Sequence, residues 1–190
     1  MVDEKIYDYV KNHQSKKRFV HTIGVSYTSC SLAMRYGIDI NKAFLAGFLH
    51  DVAKGIEDSK LIDFCKENNV DIPEVCYLKP FLLHGPAGRV IAKNKLGIVD
   101  EDILCAVEFH TTGRPGMSML EKIVFVADYI EPGRDKAPNL EYIRKLAFEN
   151  IDFCVIKILE DTVTYLDNAD GIIAPLAKDA LSYYKENTLQ

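Results

Sequence analysis

Apolar residues recur at helical spacing along nearly the whole chain, and strict alternation of apolar and polar residues is almost absent. That pattern commits the chain to helices and leaves little from which to build a sheet. A long first helix is expected from about residue 15 to residue 36, ended by Gly37. Asn41 is expected to cap a second helix that carries the run from Ala43 to Leu49 and delivers His50-Asp51 at its end. Asp58 or Ser59 opens a short third helix, and residues 70–83, with Pro73 and Pro80, read as the most irregular stretch. Gly85-Pro86 opens the next helix, with proline where no amide donor is needed. Asp100 caps another that ends near His110 and is stopped by Gly113. Ser118 and Glu121 form a capping box ahead of residues 123–130, and Pro132-Gly133 closes that helix. Residues 140–166, with a break, and 175–185 complete the set. With no repeat, linker or low-complexity segment, the expectation is an all-α single domain over residues 1–190, its core at about 15–170.

The formal net charge of -5 argues against nucleic-acid binding, which needs a basic stripe to displace counterions. No apolar stretch reaches the roughly 18 residues of a spanning helix, and the charged start, Met-Val-Asp-Glu-Lys, has no apolar signal core. A cytoplasmic protein with no membrane partner is therefore expected. Cysteines 30, 65, 76, 105 and 154 are odd in number and lack Cys-x-x-Cys spacing, so they read as small buried hydrophobes in a reducing compartment.

Chemistry concentrates where polar residues interrupt this apolar pattern. His50-Asp51 closes the apolar run at a helix end, and burying a carboxylate without a partner costs several kcal/mol, on the order of 3–5. Asp128 interrupts one of the most apolar helices, and His110 shares its face with Ile103 and Val107. His21 lies between Phe19-Val20 and Ile23, and His84 precedes Gly85-Pro86. Each alone has an ordinary reading as a core histidine, a cap or a buried ion pair. Together they offer four imidazoles and two carboxylates, enough for two metal ions sharing one carboxylate. With no cysteine in the set, iron, manganese or cobalt is favoured over structural zinc. His13, in a polar stretch, reads as solvated.

Cationic and hydroxyl residues flank these candidates. Lys54 shares the face of His50 and Asp51, Arg18 stands one turn before His21, and both suit an anion. The loop from Thr111 through Thr112, Gly113 and Arg114 follows His110, and Glu131-Pro132-Gly133-Arg134 follows Asp128. Two arginine-bearing loops beside a metal cluster suggest a substrate with several phosphates, although either loop alone is an ordinary helix-to-helix turn.

The order His21, His50-Asp51, His84, His110, Asp128 resembles the HD-domain metal-dependent phosphohydrolase superfamily. The motifs Arg18-Phe-Val-His21, His50-Asp-Val-Ala-Lys54, His110-Thr-Thr-Gly-Arg-Pro-Gly-Met117 and Ala127-Asp-Tyr-Ile-Glu-Pro-Gly-Arg134 are similar, more narrowly, to its YqeK branch. The resemblance implies a helical bundle around a central dinuclear metal site, with two divalent or mixed-valence ions, iron foremost. It implies symmetrical hydrolysis of diadenosine tetraphosphate to two ADP, the partners being a dinucleoside polyphosphate and an ADP-like product. By carry-over, His21, His50, Asp51 and Asp128 would bind one ion and Asp51, His84 and His110 the other. Arg18, Lys54, Thr111, Thr112, Arg114 and Arg134 would contact substrate, with Asp51 and Lys54 catalytic. A hydroxide bridging ions about 3.5–4 Å apart would attack a middle phosphorus, and no side-chain nucleophile is needed.

Three rivals keep the fold: a phosphatase or phosphodiesterase acting on another nucleotide, a di-iron oxygenase, and a non-catalytic nucleotide-binding module. The last would be marked by missing ligands, and all six are present. The last two helices offer an apolar surface that suits a homodimer or the core.

Overall fold

The computed structural model describes residues 2–169 and 171–188, and among them there are helices and no strand. The helices are α1 (Glu4–His13), α2 (Lys16–Tyr36), α3 (Ile40–Leu49), α4 (Asp58–Glu67), α5 (Val75–Leu78), α6 (His84–Val90), α7 (Glu101–Phe109), α8 (Met119–Ile130), α9 (Leu140–Glu149), α10 (Ile151–Asn168) and α11 (Pro175–Thr188). A 3-10 turn, Pro80–Leu83, leads into α6, and a π-helical turn, Ile91–Lys95, ends it. The all-α class read from the sequence is the class observed.

The centre of the bundle is α8. Leu120, Ile123, Val124, Phe125, Val126, Ala127 and Ile130 are all buried, which leaves this helix no solvent face of any width. Around it pack α2, α3, α7 and α10, and α6 lies against α7. Fully buried Phe48, Leu32, Leu49, Leu104, Leu120 and Ile123 each contribute about 1.5–3 kcal/mol of transfer free energy. The apolar faces of α10 and α11, including Val155, Ile158, Leu159 and Tyr184, go into this same core.

Two crossings are close because glycine permits it. At Gly47 on α3, an added Cβ would lie 2.8 Å from Ser29 Oγ and 3.0 Å from Ser26 Cα on α2. At Gly85 on α6, it would lie 2.2 Å from the Glu108 carbonyl oxygen on α7. The histidine-bearing helices are thus drawn together in pairs, α2 with α3 and α6 with α7.

Several boundaries differ from expectation. Helix α1, which the sequence expectation omits, precedes the long helix; Asp3 caps it, Ile6 and Val10 are buried, and Val2 and Tyr9 pack against the core on the same face. The cap of α3 is Asp39, whose carboxylate accepts from the Asn41 and Lys42 amides, and not Asn41. Glu57 precedes α4 without a side-chain capping bond. His84, not Gly85, begins α6, so Pro86 is the third helical residue, where an amide still has no intrahelical acceptor. The break after residue 140 falls at Asn150, whose side chain caps α10.

Candidate metal centre

Four helix ends converge on Asp51. His21 projects from α2, His50 caps the C-terminus of α3, His84 begins α6, His110 caps α7, and Asp128 lies in the last turn of α8. Asp51 is 2% exposed and His50 fully buried. The two carboxylate oxygens of Asp51 face different neighbours. Oδ1 is 3.5 Å from His84 Nε2 and 3.6 Å from His110 Nε2. Oδ2 is 3.3 Å from His50 Nε2 and 3.9 Å from His21 Nε2. Asp128 Oδ1 completes the second group, 3.0 Å from His21 Nε2 and 3.9 Å from His50 Nε2. All six residues singled out as ligands in the sequence thus lie in one cluster, within which sets of three donor atoms fall inside 4.8 Å of one another.

The local chain orients the rings. His50 Nδ1 donates to the Gly47 carbonyl at 2.7 Å, His110 Nδ1 to the Val107 carbonyl at 2.7 Å, and His84 Nδ1 to the Phe81 carbonyl. A carbonyl only accepts, so in each neutral ring the proton sits on Nδ1 and a bare lone pair on Nε2 points into the cluster. His21 follows the same logic with a different acceptor, the Glu131 carboxylate at 3.0 Å.

This geometry is poor for a metal-free site and good for cations. The Nε2 atoms of His84 and His110 stand 3.0 Å apart, lone pair to lone pair, with only the Thr111 hydroxyl (2.9 and 3.0 Å away) to lend one proton. His21 Nε2 and His50 Nε2 are buried without any hydrogen-bond partner. Lone pairs aimed at one another and at carboxylates need positive charge between them, and nitrogen with oxygen donors suits a divalent transition metal.

The protonation states agree. Burial, with the charge of Lys54, pushes the His84 pKa down to about 3, keeping the ring neutral. Burial raises the Asp51 carboxyl, but His50 and His110 outweigh it and hold it well below the usual range. Asp128 is likewise held down against burial by His21, His50 and Arg134. His21 is lowered by burial but raised more by Asp128 and Glu131, whose negative charge favours a cation beside it.

Around the cluster, Arg18 Nη1 donates to Asp51 Oδ2 at 2.7 Å. Arg134 reaches Asp128 through its carbonyl, at 2.8 Å, and through its carboxylate. Lys54 is half-buried, its Nζ 6.0 Å from the Phe81 ring centroid, and burial lowers its pKa while Asp51 opposes that. Thr111 touches both His84 and His110, whereas the Thr112 hydroxyl donates to the Gly113 carbonyl. Arg114 forms a two-point pair with the buried capping-box Glu121, at 2.6 and 2.8 Å, so its guanidinium faces a structural partner and not the cluster. A cleft of about 860 Å³ opens on the His21–Asp128 side, with Lys17, Arg18, Arg134 and Lys136 in its lining. Its size falls within the usual range for small-molecule sites.

Sequence reasoning passed over Glu131, Gln14 and Arg144. Gln14 donates to the Asp51 carbonyl at 3.0 Å. Arg144 donates to the carbonyls of Ile130, Glu131 and Arg134. These contacts span large sequence separations and leave no local pattern; only Glu131 lies in a motif already of interest.

The chain is similar to known proteins over most of its length. The HD domain family matches residues 18–133. A symmetrical bis(5'-nucleosyl)-tetraphosphatase from Halalkalibacterium halodurans is 39% identical over 186 residues, covering 98% of this chain and 97% of its own. Proteins of the same name from Bacillus subtilis (37% identical, 87% and 88% covered) and Staphylococcus aureus (35%, 95% and 93%) are also similar. Among solved structures, a predicted HD superfamily hydrolase involved in NAD metabolism from Clostridium acetobutylicum superposes with a TM-score of 0.94, at 39% identity and 98% coverage of both chains.

Proposed function

The chain belongs to the HD-domain family, and we propose that within it this protein is a symmetrical bis(5'-nucleosyl)-tetraphosphatase, hydrolysing diadenosine tetraphosphate to two ADP. The observation that carries the reading is the division of Asp51: one buried carboxylate turns each oxygen to a separate set of imidazoles. The names and near-complete coverage of three relatives supply the substrate.

In this reading His21, His50, Asp51 and Asp128 hold one ion, and Asp51, His84 and His110 the other. Iron is the favoured metal, with manganese or cobalt accepted by the same donors. Bound there, such a pair supplies a water nucleophile at neutral pH and Lewis acidity toward phosphoryl oxygens. The chain's own groups hold the substrate. Arg18 and Arg134 stand between ligand carboxylates and the cleft, where their remaining guanidinium donors take non-bridging phosphate oxygens. Lys54, shielded from water beside Phe81, adds a point charge close to Asp51 and serves with it in catalysis. Thr111, in contact with His84 and His110, is the further substrate contact, whereas Thr112 and Arg114, expected from the motif to share that role, are engaged by the Gly113 carbonyl and by Glu121. Attack on a middle phosphorus consumes one water and divides the four phosphates equally, two to each adenosine.

Residues 1–190 act as one HD domain. A cytoplasmic location fits the five unpaired thiols, three of them buried, and no helix among the described residues is long and apolar enough to cross a membrane. Replacing Asp51 by alanine tests the reading: both ions and the formation of ADP should be lost together. Normal turnover in that variant would end the two-metal reading.

A further inference from the structure

Three of the four cluster histidines donate Nδ1–H to a neutral acceptor, the backbone carbonyl three residues earlier. His21 alone donates to an anion, Glu131. That carboxylate is held from every side. The residue is 4% exposed, and its Oε2 accepts from the Gly133 amide at 2.6 Å. Its carbonyl and those of Ile130 and Arg134 are tied by Arg144, which fixes the turn. On α2, Gly24 makes room for it: a Cβ there would lie 2.5 Å from Glu131 Oε2.

We infer that Glu131 is a positioning residue that makes the two halves of the centre unequal, strengthening His21 as a ligand for the ion shared with His50 and Asp128. The inference rests on the two-ion reading above. An anionic acceptor fixes the ring orientation, keeps the proton on Nδ1 and makes Nε2 a stronger electron donor. The His84–His110 half has only carbonyl acceptors and gains no such help. Glutamine cannot replace the carboxylate, because Glu131 accepts from two donors on two different oxygens and an amide has one acceptor. If the amide nitrogen turns toward His21, the neutral ring moves its proton to Nε2, where the ion would bind.

Titration of the metal-free protein with Mn(II), followed by ion counting and electron paramagnetic resonance, separates the possibilities. Wild type should take two ions per chain. Glu131→Gln should weaken one of them by roughly 10–100-fold and leave the other within about twofold, with folding checked by circular dichroism. Gly24→Ala displaces the same carboxylate from the opposite wall and should give the same one-ion loss, which keeps the test open if the glutamine variant does not fold. Equal weakening of both ions, or of neither, overturns the inference. Fewer than two ions in wild type would instead overturn the two-ion reading, and this inference with it.

Discussion

Gly85→Ala probes the link between helix packing and the centre most sharply. Gly85 follows His84 directly, and its missing Cβ lets α6 approach the main chain of α7 at Glu108, two residues before His110. The added carbon would start 2.2 Å from a carbonyl oxygen and must reach the 3.4 Å of ordinary contact. Backbone cannot rotate away as a side chain can, so the helices separate by about 1 Å. Overpacking of this kind costs about 1–3 kcal/mol, and the backbone contact places it at the upper end. Better helix propensity returns about 1 kcal/mol, leaving a loss of about 2. For a chain of this length, that lowers Tm by about 4–8 °C. The same separation parts the His84 and His110 rings, so the ion they share should be lost first. Gly55→Ala is the control, since its Cβ would start 2.1 Å from the His13 carbonyl oxygen at α1. It should cost at least as much stability, since a turn residue gains no helix propensity, while His84 and His110 keep their mutual spacing and the ion between them. Calorimetry with Mn(II) counting reads both quantities, and a Gly85→Ala protein with wild-type Tm and two ions would refute the packing argument.

Other consequences are equally direct. In metal-free protein His84 titrates near 3 instead of 6.5, so the unfolded chain takes up the extra proton as pH falls from 6.5 toward 3; Tm should drop across that window. The raised His21 contributes a constant amount below 6.5 and does not mask this, so a Tm that stays level to pH 4.5 would contradict it. Chelation should lower Tm, and restoring ions at about 100 times their Kd should return about 2.7 kcal/mol per site, read as a rise of about 5–11 °C. Arg134→Ala should raise KM for diadenosine tetraphosphate at least about tenfold while two ions remain, because Asp128 keeps its His21 contact; loss of an ion would recast Arg134 as a ligand support.

The sequence made the helices and the cluster legible for one physical reason. Polar residues buried in apolar periodicity stand out, as His50-Asp51 does after residues 43–49 and Asp128 does within α8. Helix α1 is readable by the same spacing, with Val2, Ile6, Tyr9 and Val10 on one face behind the Asp3 cap, but no polar residue interrupts that face to draw the eye. Residue type points to Asn41 as the cap of α3, yet Asp39 holds the position, two residues earlier, with a side chain of equal capping strength. The orienting groups were hidden more deeply. Glu131 meets His21 across 110 positions and Arg144 meets the same turn from α9, so only the folded chain brings them together. Arg114 and Glu121 show the converse: an arginine beside a histidine motif looks free in sequence, while a capping-box glutamate seven residues on engages it.

The most direct measurement is chromatography of the products formed from diadenosine tetraphosphate after anaerobic loading with iron, manganese or cobalt. Two ADP, with no ATP or AMP, is the expected result. ATP with AMP would contradict the cleavage position, and no turnover with any of the three metals would contradict the assignment as a whole.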